Sequence, residues 1–480
     1  MKSLVLCLAV ILSPLLALSQ RYDLVIQGGR VIDPETGLDA VRNVGISQGR
    51  IKKISARTLT GKHVISAQGL VVAPGFIDLH QHAQEIEDQR VKALDGVTTA
   101  LEMEIGKPDV TTFLQSRQGT SLIHYGTTAS HGAARLLAFG APMPEDGLLP
   151  KSGAATNEAA SPEQIEKMKA RLRHELDAGA LGVGMGIQYT PGATRWEVIE
   201  MFRLAAERGV PVYTHIRSNG KQEPNSNIES VSEVIGAAAI SGASLHIVHI
   251  NSSCGAQALD CVGLIAGARA RGLDITTEAY PYEAGMTAIN SARFNPGWQE
   301  QSGATYHDLM LPETGERLTK ERFDELHNSN NPRLVILFTN TMEAVDPLFR
   351  NPLVMVASDG ERGHPRNAGT FCHILARYVR DQGTLTLMDA IRKMSLMPAQ
   401  VLERSTPAAR LKGRLQEGMD ADVVIFDPKI VSDRSTYQHP METSVGVEYL
   451  LVGGVRLVDK GKLMEGVFPG KAIVGKMKRQ

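Results

Sequence analysis

The sequence predicts an α/β protein: a (β/α)8 TIM barrel carrying a small β-sandwich domain formed from both chain termini. Two patterns lead there. Short apolar segments alternate with helical stretches through the middle of the chain, and runs of short strands with turn residues between them lie at each end. A third observation concerns chemistry: several of the apolar segments end in histidine or aspartate.

The 480 residues suffice for one large core and an accessory domain. The 51 Lys+Arg nearly cancel the 52 Asp+Glu and no basic run stands out, so no nucleic-acid partner is predicted. A hydrophobic content of 42% with 46 glycines fits a globular enzyme and excludes a disordered or fibrous chain.

Residues 1–19 read as a secretory signal peptide. Lys2 precedes an apolar run from Leu4 to Leu18, and Ala17-Leu18-Ser19 supplies small residues for cleavage. The expected location is secreted or periplasmic, with no stable membrane anchor. The alternative is an uncleaved anchor helix, but the run falls short of the roughly 20 residues that a span needs. Cys7 lacks the small residues that precede a lipidated cysteine. Cys254, Cys261 and Cys372 remain, too few for a disulfide scaffold. Cys254 and Cys261 could pair, although buried free thiols are the expectation.

Residues 20–72 and 410–480 are assigned to the β-sandwich. Strand-like segments include Tyr22–Gly29, Ile51–Ile54, Asp422–Phe426 and Glu448–Gly454. Residues 73–409 form the barrel, with strands expected near Val71–Asp78, Thr98–Glu104, Tyr125–Ser130, Leu181–Gly186, Val212–His215, Leu245–His249, Ile275–Tyr280 and Val354–Asp359. Helical spacing of apolar residues marks Pro162–Ala178 and Trp196–Glu207. The stretch from about 285 to 352 is too long for a simple connection. It reads as an insertion over the barrel mouth, either a lid or a stabilising excursion, with an amphipathic piece at Thr319–His327.

A barrel enzyme gathers its reactive groups where the strands end, because side chains from separate strands converge there. The first strand runs into His80-Gln81-His82, and spacing two on extended chain turns both imidazoles the same way. The fifth ends in His215, the sixth in His249 and the eighth in Asp359. Any one of these could be a packed histidine or a capping aspartate; agreement among four strand ends predicts a metal site.

The set His80, His82, His215, His249 and Asp359 resembles the amidohydrolase superfamily. Neighbouring words narrow the resemblance to its N-acyl-D-amino-acid deacylase (D-aminoacylase) branch: Gly179-Ala180-Leu181-Gly182, Tyr189-Thr190-Pro191-Gly192, Tyr280-Pro281-Tyr282, Ser358-Asp359-Gly360, His364-Pro365-Arg366 before Gly369-Thr370-Phe371, and Lys393-Met394-Ser395. These words span about residues 22 to 470 in order. By the same pattern His249 is the ligand of its strand, and His246 packs on the other face.

Two departures stand out. Where D-aminoacylases end the second strand in Gly-Asn-Cys-Gly with a metal-binding cysteine, this chain has Glu102-Met103-Glu104. Both glutamates share a face by period-two alternation. Glu104 is the preferred ligand, able to bridge two cations, and Glu102 then stands behind it or faces substrate. Where relatives carry His-Lys after the sixth strand, this chain has Ile250-Asn251. The fourth strand lacks a lysine, which argues against the carboxylated-lysine bridge of other branches.

The resemblance implies a divalent metal, zinc first, as one or two ions, with manganese, cobalt or iron suiting the same ligands. The implied reaction is hydrolysis of a carbon–nitrogen bond, that of an N-acyl-D-amino acid or a D-residue-containing peptide, with Asp359 as general base and acid. Tyr189, Tyr282 and Arg366 are the expected substrate contacts, Arg366 for a carboxylate; Arg217 is a weaker candidate and His131 a supporting one. The partner is a small-molecule amide, and a homo-oligomer is left open. The alternatives are a dipeptidase or dihydroorotase-like cyclic-amide hydrolase of the same superfamily, and an inactive binding protein on a barrel scaffold.

Overall fold

The structure is a computed structural model that describes residues 21–144, 152–329 and 331–478. The expected signal peptide lies outside the described residues. Eight parallel strands follow one another in chain order: β1 (Phe76–Asp78), β2 (Val97–Lys107), β3 (His124–Ser130), β4 (Val183–Gly186), β5 (Val212–His215), β6 (Leu245–Ile247), β7 (Ile275–Ala279) and β8 (Val354–Val356). Gln81 and Gly360 form a parallel bridge, and Gly360 N donates to His80 O at 3.1 Å, so the ring closes between β1 and β8 at the end where the strands finish. These strands are almost wholly buried, as expected for a parallel sheet covered on one face by helices and filled on the other by its own side chains.

The helix Pro162–Ala178 begins where Ser161 and Gln164 make a reciprocal capping box, and it ends at Gly179 with φ 115°. The expected strand at 71–78 is two strands. Val71–Pro74 pairs with Val423–Phe426 of the terminal sheet, and β1 starts only after Gly75. Proline offers no amide to continue the ladder. Gly75 lies so close to β2 that an added Cβ would come within 2.3 Å of Thr98 Cγ2.

Both chain ends build a nine-stranded sheet with its own core, including Ile26, Val44, Ile65, Val72, Val423 and Ile425. Within 410–480, the segment after this sheet turns back to the barrel. Gly470 N donates to Ser121 O at 2.9 Å and Ile473 N to Tyr125 O at 2.7 Å. Ile473 joins Ile77, Leu101, Leu181, Tyr213 and Met355 in a cluster inside the barrel, opposite the end that carries the histidines.

The insertion contains three antiparallel strands, Ala284–Ala288, Leu309–Met310 and Leu334–Phe338, with the last in the middle. Phe294, Trp298, Phe323 and Leu337 form its separate core, and the amphipathic piece is the helix Lys320–His327. One expectation is corrected: Cys254 and Cys261 form a disulfide, placed together by the turn between helices Ile250–Cys254 and Ala258–Ala270. Cys372 is free and buried. No helix among the described residues is long and apolar enough to cross a membrane.

Candidate active site

His80 and His82 follow β1, Glu102 and Glu104 lie on one face of β2, His215 closes β5, His249 follows β6 and Asp359 follows β8. All are buried or nearly so. His249 and Asp359 adopt φ of 29° and 49°, left-handed backbone that non-glycine residues rarely hold. Such strain persists where surrounding structure enforces it, and it aims both side chains at the barrel axis.

Glu104 stands at the centre. Its Oε1 lies 2.8 Å from His215 Nδ1 and 2.9 Å from His249 Nε2. Its Oε2 lies 3.3 Å from His80 Nε2 and 3.1 Å from His82 Nε2. Asp359 Oδ1 joins the second pair, 3.4 Å from His80 Nε2 and 3.3 Å from His82 Nε2. Each imidazole has its other nitrogen occupied: His80 Nδ1 donates to Glu278 at 2.7 Å, His82 Nδ1 to Glu102 at 2.7 Å, His215 Nε2 to Gln188 at 2.8 Å, and His249 Nδ1 meets Ser253 Oγ at 3.0 Å. A ring whose outer nitrogen carries the proton presents a lone pair at the inner one, the tautomer a cation needs.

The electrostatics also favour positive charge at the centre. Burial pulls the His80 pKa down, but Asp359 and Glu104 outweigh it and raise it to about 10. His215, more desolvated than helped by Glu104, falls to about 4. Burial would raise the Glu104 carboxyl, yet His80, His215 and His249 hold it well below the usual carboxylate range. His80, His82 and Asp359, and separately His80, Glu104 and His249, hold ligand atoms within 4.8 Å of one another. Imidazole and carboxylate donors in this number suit a divalent transition metal.

The cavity above this cluster is lined by His82, Glu104, His215, His249 and Asp359 on the barrel side, and by Met286, Arg293 and Leu337 of the insertion. Tyr189 lines it too, its ring 5.0 Å from that of His215 and its hydroxyl bonded to Thr287 at 3.2 Å. Two expected substrate contacts lie elsewhere. Tyr282 is absent from the cavity wall and packs on His364 and His373 behind the helix Arg366–His373. Tyr280 is the tyrosine at the edge, its hydroxyl 3.3 Å from where a Cβ on Gly285 would sit. Arg366 is fully buried, with Nη1 2.8 Å from Asp359 Oδ2 and its guanidinium 4.6 Å from the Tyr280 ring centre. It supports that carboxylate from behind the cavity wall, which it does not itself line, while its Nε and Nη2 have no hydrogen-bond partner among the described residues.

Arg217 pairs with Glu233 at 2.6 Å, and His131 with Glu197 at 2.8 Å, both outside the cavity. His246 donates to Glu278 at 3.0 Å, so it supports His80 through that glutamate as well as packing on Tyr213. Glu278, Gln188 and Arg293 were not singled out from the sequence. Glu278 carries the one usable signal, a glutamate inside the otherwise uncharged run Ile275–Ala279. Arg293 donates to Gln188 Oε1 at 3.0 Å and reaches the Asn219 amide oxygen at 2.7 and 2.6 Å. Among the described residues no carboxylate pairs with it.

The sequence model of the amidohydrolase family matches residues 126–458. An N-acyl-D-glutamate deacylase of Alcaligenes xylosoxydans xylosoxydans is 30% identical over 470 residues, 91% of this chain and 94% of that protein. A D-aminoacylase of the same organism is 29% identical over 481 residues, again 91% and 94%. The N-acyl-D-glutamate deacylase of Bordetella bronchiseptica, solved with zinc and a phosphonate mimic of the tetrahedral intermediate, superposes with a TM-score of 0.79 at 25% identity, over 95% of this chain and 100% of that one.

Proposed function

Since the chain belongs to the amidohydrolase family, in its D-aminoacylase-like branch, we propose that it hydrolyses N-acyl-D-amino acids or D-residue-containing peptides with the help of zinc. The observation that carries this reading is the ring of four imidazoles turned on the two oxygens of Glu104. His80, His82, Asp359 and Glu104 Oε2 would hold one ion, and His215, His249 and Glu104 Oε1 a second. Such an ion, when bound, polarises the carbonyl and lowers the pKa of water toward about 7.

The side chains supply the rest. Asp359 receives the proton of the attacking water through its centre-facing oxygen, while Arg366 grips the other and fixes the carboxylate plane. The same proton then goes to the departing nitrogen, and the products are a carboxylic acid and a free amino acid. Arg293, charged and without an acid of its own, receives the substrate carboxylate in a fork already positioned by Gln188 and Asn219. The insertion thus works as a wall of the site. The signal-like pattern in residues 1–19 supports placing this reaction outside the cytoplasm.

The test is amine release by the purified, zinc-loaded protein from matched N-acetyl-D- and N-acetyl-L-amino acids. Release from the D-series is expected. Release from the L-series alone would remove the D-aminoacylase assignment.

A further inference from the structure

Glu361 is a second charged group in the cavity that the reaction above does not use. It sits two residues beyond Asp359, and its one hydrogen bond is from the Arg362 amide to Oε1 at 3.1 Å. No lysine or arginine lies within 4 Å of its carboxylate among the described residues. A half-buried carboxylate on a cavity wall, with one backbone partner, loses its remaining water when a ligand fills the cavity, a cost that a ligand group able to bond it would offset.

Its position relative to Arg293 defines what that ligand is. Glu361 adjoins the His82 and Asp359 side of the cluster: it follows Asp359 by two residues, Asp359 Oδ1 lies 3.3 Å from His82 Nε2, and all three line the cavity. Arg293 adjoins the opposite side, sharing Gln188 with His215 and facing Tyr189. A substrate whose carboxylate rests on Arg293 therefore extends its amine portion over the His215 side. Its acyl portion extends past the scissile carbonyl toward Glu361.

We propose that Glu361 is a specificity residue that accepts an ammonium group on the acyl portion, so that the substrate is an N-(aminoacyl)-D-amino acid, cationic at one end and anionic at the other. This rests on the deacylase reading above and narrows it. The chemistry is unchanged: water adds to the carbonyl, the C–N bond breaks, the nitrogen of the D-residue takes a proton, and the aminoacyl portion leaves as a free amino acid. A bound acetyl substrate would cover the Glu361 carboxylate without offering it a partner, whereas an ammonium replaces the hydration lost on binding with a charge-assisted hydrogen bond.

Glycyl-D-leucine and acetyl-D-leucine make the matched test, since they differ only by an ammonium in place of a hydrogen. With the zinc-loaded protein, the glycyl compound should show a kcat/KM at least tenfold higher, chiefly through a lower KM. Glu361→Gln should bring the two within about threefold of each other by raising the glycyl KM, and Glu361→Asp should restore part of the preference. Each variant is first checked for wild-type zinc content and melting temperature; if Gln fails that check, Asp against wild type carries the comparison. Acetyl-D-leucine hydrolysed as well as or better than glycyl-D-leucine by the wild-type protein overturns this proposal and leaves the deacylase reading standing. Hydrolysis of neither, with L-compounds cleaved, overturns both.

Discussion

Arg366 and Arg293 are both near the centre, and their partners decide what each can do. Arg366 is fully buried against Asp359, and removing it would leave Asp359 Oδ2 without its ion-pair partner. Arg293 is held by two neutral amides and keeps its charge for a ligand. Arg293→Met should therefore raise KM for an N-acyl amino acid by roughly 10- to 100-fold, the worth of a charge-assisted hydrogen bond, with kcat changed only a few-fold. Steady-state kinetics against the corresponding N-acyl amine, which has no carboxylate, checks it: that compound should not feel the substitution. The same contrast explains what was legible at this scale. His80, His82, His215, His249 and Asp359 end strands, and strand ends can be located from apolar runs alone. The role of Arg366 could not be located that way, because a sequence word conveys neither which way a helix residue points nor that a carboxylate seven residues earlier takes its charge. Arg293 lies in the insertion expected over the barrel mouth but outside its amphipathic piece, so nothing singled it out as facing the site.

At the scale of elements, the eight barrel strands were readable because each is a short buried run between turn residues, and the helix Pro162–Ala178 because its cap and its terminating glycine are both local. The break at Gly75 was not, since it depends on contact with β2 more than twenty residues later. Gly75→Ala should destabilise the fold by about 1–3 kcal/mol through overpacking against Thr98. In a double-mutant cycle, Thr98→Ala should recover part of that loss, since it removes the two nearest atoms. Additive effects in denaturant melts would show that the contact is not what sets the strand break. The disulfide between Cys254 and Cys261 escaped the sequence for a related reason: a separation of seven permits pairing without requiring it.

At the scale of the whole molecule, the terminal sheet is fastened to the barrel by a buried ionic cluster. Asp422, at the edge of the strand Val423–Phe426, accepts from Lys412 at 2.6 Å, from His124 at the start of β3 at 3.1 Å and from the Gly453 amide at 2.7 Å. Burial alone would raise the Asp422 carboxyl, but Lys412 and His124 together drive it far below its usual range. A carboxyl depressed in the folded state stabilises fully above its unfolded pKa, near 3.9, and loses that contribution as pH falls below it. Asp422→Asn should thus lower stability near neutral pH by about 3–5 kcal/mol, the loss expected when one partner of a buried pair is removed. The difference between variant and wild type should shrink as pH drops below about 4. Urea melts at pH 7 and pH 3.5 check both; an equal loss at the two values would contradict the assignment.

The centre itself is where the account is most exposed, because one carboxylate stands between two pairs of imidazoles. The direct test is to strip the protein with chelator and titrate it with zinc, following bound metal and amide hydrolysis together, for wild type and Glu104→Gln. The expected result is up to two zinc ions per wild-type chain, with activity absent before titration and restored during it, and at least a 100-fold loss of zinc affinity in the variant, beyond the 10- to 100-fold that supporting groups produce. Wild-type hydrolysis that persists without metal, or a Glu104→Gln protein that binds zinc with the same number and affinity, would contradict it.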